Sequence, residues 1–220
     1  MPSDRTRAAI LDAAERLYAE RGFSDVTLRD IVGAAGVNLA AVNYHFGSKD
    51  ELIAELFVTR SLATNRERLN ELKAAEEKGG GRASIEAILH ALVGPTLRGC
   101  LGPDREGSTA ARFMIRASIE SVPPIRRIKN REVDHLRKFA AAMRRAMPAS
   151  SDTELYWGLH FALAMAHHTI REKERLLRLS EGKCDLDDVE DVVARVVSVA
   201  TMALAAGKVE TKAPSRVAAR

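Results

Sequence analysis

Three helix starts fall within 26 residues of this chain. Residues 27–52 read TLRDIVGAAGVNLAAVNYHFGSKDEL. Thr27 and Asp30 have the spacing of a capping box, with Asp in place of the usual Glu. Asn38 is a good N-cap residue, and Ser48 with Glu51 makes a second box. Gly36 and Gly47 stand where left-handed residues end helices. In the first short helix the spacing buries Leu28, Ile31, Val32 and Ala35. In the second, over 39–46, Val42 and Phe46 are four residues apart and share one face. Ala40, Ala41, Asn43, Tyr44 and Lys49 then lie on other faces.

The rest of the chain also reads as helix. Alternating apolar runs and Asn-Gly or Asp-Gly hairpins are missing, whereas 3-and-4 spacing recurs throughout. A first helix, capped at Ser3, carries Ile10, Ala13, Ala14, Leu17 and Tyr18 and stops at Gly22. A long fourth helix over 48–78 ends at the triple glycine 79–81. Further helices are expected over 84–98 with a kink at Pro95, then over 108–120, 124–146, 151–180 and 186–206. The last is rich in valine, but its length, its 3-and-4 spacing and its acidic start favour helix over strand. The fold class is therefore all-α with about nine helices. Residues 1–50 form a three-helix helix-turn-helix domain and residues 51–206 a larger helical domain. The polar, basic segment 207–220 is expected to be a disordered tail.

Composition narrows the function. No run of 18 uncharged apolar residues occurs and the N-terminus lacks a signal-peptide core, so a cytoplasmic protein without a membrane partner is expected. The formal net charge is +4, yet residues 1–60 carry seven Lys/Arg against nine Asp/Glu. Bulk charge thus does not mark the N-terminal part as a nucleic-acid binder; individual side chains must do so. Cys100 and Cys184 lack metal-ligand spacing and read as reduced thiols. The 79–81 glycines are followed by no Gly-Lys-Ser/Thr, so they form no phosphate loop, and no cofactor is expected. His160, His167 and His168 raise the question of a metal. Adjacent His167 and His168 point about 100° apart on a helix, which disfavours a shared ion; no metal site is expected. No catalytic motif appears, and an enzyme is not expected.

The segment ILDAAERLYAERGFSDVTLRDIVGAAGVNLAAVNYHFGSKDELIAELF resembles the TetR family of bacterial transcriptional regulators over about residues 5–57. The departures are Asn38 where the family often has Ser, and Asn43 where many members have an aromatic residue. The resemblance implies a dimeric, ligand-responsive DNA-binding regulator, a repressor released from a palindromic double-stranded operator by a small-molecule effector. By the same resemblance, Thr27, Tyr44, His45 and Lys49 are phosphate contacts, whereas Leu39, Ala40, Ala41 and Asn43 face the bases beside the Asn38 cap. His45 could instead brace the turn into the fourth helix. The stretches AVNYHFGSK and RLLRLSEG resemble members that regulate fatty-acid or lipid metabolism, which implies an acyl or otherwise lipophilic effector. Leu92, Leu97, Phe113, Met114, Phe161 and Met165 could line its tunnel, and Arg112, Arg116 and His160 could meet a polar head. Each apolar residue here serves equally well as ordinary core. The two last long helices, with FALAMAHH (161–168) and VVARVVSVATMALAA (192–206), could pair across a two-fold axis or bury both faces within one chain. An all-α enzyme and a helical interaction module are the competing classes; the module leaves residues 27–52 unexplained.

Overall fold

The computed structural model describes residues 2–103, 108–120 and 122–206. Eleven helices and no strand occur among them. They are α1 (Pro2–Arg21), α2 (Leu28–Ala35), α3 (Leu39–Phe46), α4 (Lys49–Lys78), α5 (Ile85–Leu101), α6 (Thr109–Ile119), α7 (Pro123–Arg131), α8 (Asp134–Ala146), α9 (Asp152–Arg171), α10 (Lys173–Leu179) and α11 (Val189–Ala205). The tail expected over 207–220 lies outside the described residues.

The difference between nine and eleven helices comes from two breaks. The segment expected as 124–146 splits at Glu132 and Val133, where Glu132 takes ψ 75° and its backbone leaves the helical region. The segment expected as 151–180 splits at Glu172, with φ −106° and ψ 19°. Neither break contains glycine or proline. Pro95, where a kink was expected, lies inside a helix that runs on to Leu101.

The caps at Thr27, Asn38 and Ser48 follow the sequence, whereas Ser3, expected to cap the first helix, lies inside α1, which begins at Pro2. The Thr27 side chain accepts from the Asp30 amide while Asp30 accepts from the Thr27 amide at 2.8 Å, so the box with Asp closes fully. Asn38 Oδ1 accepts from the Ala41 amide at 2.9 Å. Ser48 accepts from the Glu51 amide at 3.1 Å, but Glu51 bonds the Ser48 hydroxyl rather than its amide, leaving that box half formed.

Side chains sort into two cores. The smaller joins α1 to the first half of α4 and includes Ile10, Tyr18, Phe23, Ile31, Val42, Phe46, Leu52 and Phe57. It also takes in Phe113 and Ala117 of α6 and Ile125 and Ile128 of α7. The larger is built from α5, α8, α9 and α11, with Leu72 from the far end of α4. α4, about 45 Å long at 1.5 Å per residue, runs through both.

The end of α1 is fastened to α6. Phe23 meets Phe113 edge-on at 5.4 Å between centroids and packs on Tyr18 at 5.1 Å. The Phe23 amide donates to Glu120 Oε2 at 2.9 Å, and Arg116 donates to the Glu20 carbonyl at 3.3 Å. Gly22 permits this approach: its φ is +83°, and a Cβ there would lie 2.5 Å from Glu120 Oε1. Gly22→Ala should therefore cost at least the left-handed penalty of about 1–2 kcal/mol. Urea unfolding would show this as a lower midpoint, and an unchanged midpoint would mean that Gly22 is not required at the junction.

Candidate nucleic-acid interface and effector cavity

α3 is held by its neighbours on one side and bare on the other. Val42 and Phe46 are buried, and Arg7 lies over the Phe46 ring at 5.3 Å. Leu39, Ala40 and Asn43 are exposed, Ala41 and His45 half-buried, and Tyr44 is 83% exposed. Tyr44 thus projects from the side of the helix opposite Val42 and Phe46. His45 lies edge-on to Tyr44 at 5.0 Å and beside Phe46 at 6.1 Å, between the bare face and the core.

The residues flanking α3 behave differently from one another. Thr27 is exposed, but its hydroxyl is engaged with Asp30, donating to Oδ2 at 2.7 Å. The Thr27 hydroxyl and amide hold the Asp30 carboxyl below its ordinary range. Lys49 does not reach outward: its Nζ donates to the Phe23 carbonyl at 2.7 Å and lies 5.9 Å from the Tyr18 ring. The carbonyl at the end of α1 is a nearby acceptor for an ammonium leaving the first turn of α4, so Lys49 joins α4 to α1.

A second feature lies among α4, α5, α6, α7, α8 and α9: an open cavity of about 590 Å³. α4 contributes Phe57, Arg60, Ser61, Thr64 and Arg68, and α5 contributes Pro95, Thr96 and Cys100. Met114 and Ser118 come from α6, Ile128 and Lys129 from α7, His135 and Leu136 from α8, and His160, Leu163 and His167 from α9. α6 thus has two working faces, Phe113 and Ala117 in the smaller core and Met114 and Ser118 on the cavity.

Of the nine expected ligand residues, Met114 and His160 stand on the cavity wall. Leu92 and Leu97 are fully buried in the larger core, and Met165 packs half-buried against it. Phe113 is fully buried against Phe23 in the smaller core. Arg116 is committed to Glu120, at 3.5 Å, and to the Glu20 carbonyl. Arg112 lies half-buried on α6 with its Nε enclosed. Phe161 is exposed on the outer side of α9, stacked on Trp157 at 5.3 Å.

Arg68, Lys129, His135 and His167, which sequence reasoning did not single out as ligand residues, give the cavity its chemistry. Arg68 carried a readable signal: Phe57, Ser61, Thr64, Arg68 and Leu72 recur at 3-and-4 spacing on one face of α4. Burial lowers the Arg68 guanidinium to about 10 and the Lys129 ammonium below its ordinary value. Lys129 is nonetheless exposed along part of its side chain, so solvent offsets some of its charge. Burial, reinforced by Lys129 and Arg68, lowers His167 to about 4. Burial also pushes the Cys100 thiol up to about 11, the opposite of what a nucleophile needs.

Residues 10–56 match the model of bacterial regulatory proteins of the tetR family, and residues 90–203 match the tetracyclin repressor-like C-terminal domain. Over 84 residues the chain is 37% identical to the HTH-type transcriptional regulator BetI of Agrobacterium fabrum, covering 38% of this chain and 39% of that protein. It is 35% identical over 89 residues to the HTH-type transcriptional repressor KstR2 of Mycobacterium tuberculosis, covering 38% and 44%. The chain thus spans less than half the length of each of these relatives. SmeT, the repressor of the Stenotrophomonas maltophilia multidrug efflux pump SmeDEF, superposes with a TM-score of 0.60 over 96% of this chain and 95% of its own, at 22% identity, a likeness of fold.

The depressed His167 makes stability depend on pH. As pH falls below about 6.5 the unfolded chain protonates this imidazole, whereas the folded chain resists until about pH 4. His167 therefore costs nothing above pH 6.5 and destabilises progressively as pH falls from 6.5 toward 4. Urea unfolding at pH 7.5 and pH 5 should show a smaller acid-side loss in His167→Gln than in the parent chain; equal losses would show that the imidazole is not held neutral.

Proposed function

Because the chain belongs to the TetR family, we propose that it is a dimeric, effector-controlled DNA-binding transcriptional regulator, acting in the cytoplasm as a repressor. The observation that carries this reading is the bare face of α3, held between two capped helix starts with Tyr44 in solvent. The small Ala40 and Ala41 let the start of α3 approach the floor of a major groove. Leu39 and Asn43 then meet base edges, and Asn43 has the donor and acceptor to read adenine. Thr27, Tyr44 and His45 flank this face within reach of phosphates, together with the N-termini of α2 and α3.

A head with a net charge of −2 over residues 1–60 binds DNA weakly alone. Two linked heads on a palindromic operator supply the missing affinity. The outer sides of α9 and α11 suit the two-fold contact. Tyr156, Trp157, Phe161, Val199 and Met202 are all exposed there, more apolar surface than an isolated helix pair ordinarily leaves in water. Gly158 lets Leu204 pack against the α9 backbone, so the two helices present one continuous face.

The effector, a small and partly lipophilic molecule, occupies the cavity. A ligand pressing on Met114 and Ser118 presses on the helix whose other face holds Phe23. α4 gives a second route, since Leu52 and Phe57 belong to the head core and Arg60, Ser61, Thr64 and Arg68 face the cavity. Release from DNA requires the ligand to bind the DNA-incompetent arrangement more tightly.

Selection from a pool of random duplexes should return an inverted repeat bound by a dimer. Asn43→Ala should relax preference at one base position per half-site and Tyr44→Ala should weaken all sites, each substitution costing about 1–3 kcal/mol per half-site. No enriched sequence, or enrichment unaffected by both variants, would remove α3 as the reading element. Trp157→Glu should give monomers by analytical ultracentrifugation and a marked loss of operator affinity; a variant that stays dimeric places the two-fold contact elsewhere.

A further inference from the structure

Arg68 is 7% exposed, and its partners are neutral. Nη1 donates to Asn65 Oδ1 at 3.1 Å and Nη2 to Thr96 Oγ1 at 2.6 Å. Its Nε is enclosed with no hydrogen-bond partner, and among the described residues no carboxylate forms an ion pair with it, Glu67 acting on it only from a distance. A buried guanidinium without a counter-ion is costly, and neutral acceptors offset only part of that cost. Lys129 stands in the same cavity, its Nζ donating to the Ala117 carbonyl at 3.2 Å and lying 5.5 Å from the Phe57 ring. Arg68 and Lys129 act on the same neighbours, both opposing protonation of His167 and both favouring the Cys100 thiolate.

The other charges on the wall do not balance this pair. Arg60 is already joined to Glu15. Glu132 is the wall's carboxylate among the described residues; it is exposed at the mouth and paired with Arg131 at 3.0 Å. The wall also carries the apolar side chains of Pro95, Met114, Ile128, Leu136 and Leu163. An inorganic ion needs far less than about 590 Å³ and has no use for those side chains. A neutral ligand would fill the space and leave both cations uncompensated.

We propose that the cavity takes an amphiphilic organic anion, its carboxylate, sulfate or phosphate head bound by Arg68 and Lys129 and its apolar part against Met114, Ile128, Leu136 and Leu163. This rests on the cavity being the effector site. The anion supplies the counter-charge that Arg68 and Lys129 lack and offsets the share of the His167 depression that these two cations add to burial. Arg68 and Lys129 thereby select for charge, while the apolar wall selects for length and shape.

Isothermal titration of the full chain with decanoate, decyl sulfate, decyl phosphate and the neutral decanamide tests this. At least one anion should bind about tenfold or more tightly than decanamide, as expected for hydrogen bonds between charged groups, and the ranking of the three identifies the head. Arg68→Met should remove about tenfold or more of that anion's affinity and leave decanamide within about twofold. Lys129→Met should do the same and covers the case in which Arg68→Met fails to fold. Equal binding of anions and amide, loss of both alike in the variants, or no anion bound would overturn the assignment. Charge-dependent binding that leaves affinity for the selected operator unchanged would keep the anion site and count against the effector reading instead.

Discussion

Phe23, two residues past the end of α1, sits against Phe113 of α6 while its amide is held by Glu120 and its carbonyl by Lys49. Three different helices therefore converge on one residue. The left-handed Gly22 and the absence of a Cβ there let them come so close. Without this junction the three-helix head would lose its main hold on α6 and would rest on the start of α4 and on α7. With it, a helix of eleven residues has a head face and a cavity face, the arrangement on which the proposed coupling rests. Packed interiors deform little, so such a helix transmits displacement rather than absorbing it.

The cavity is the electrostatically expensive part of the molecule. Arg68, almost wholly buried, and Lys129 share it with three histidines and with Arg60, which is joined to Glu15. Those groups are not arranged for stability, since paired or apolar side chains of the same volume would serve that end better. Charge of this kind in a pocket instead marks a candidate binding site. Around it the larger core, Leu92, Leu97, Phe139, Met143 and the α11 valines, is ordinary apolar packing that holds the walls in place.

Much of the head was legible in the sequence. Thr27, Asn38 and Ser48 announce helix starts through chemistry that acts over three residues, and Val42 and Phe46 announce a buried face through spacing alone. These are local signals, and local physics fixes them. Lys49 was misplaced because its partner, the Phe23 carbonyl, lies 26 residues away and is set by tertiary packing. The breaks at Glu132 and Glu172 were invisible because apolar spacing carries through them without glycine or proline. Leu92, Leu97 and Phe113 could not be told from pocket residues, since a pocket and a core share one composition. Arg68 sits in NRERLNELK, which reads as a solvated charged helix unless its place on the Phe57–Leu72 face is counted.

Hydrogen exchange of the chain with and without its selected operator addresses most directly the claim that α6 joins the head to the cavity. The account predicts slower exchange on DNA binding both in α3 and in α6, over Thr109–Ile119, although α6 lies behind the head and away from the bare face of α3. Protection confined to the head, with α6 exchanging at an unchanged rate, would contradict it.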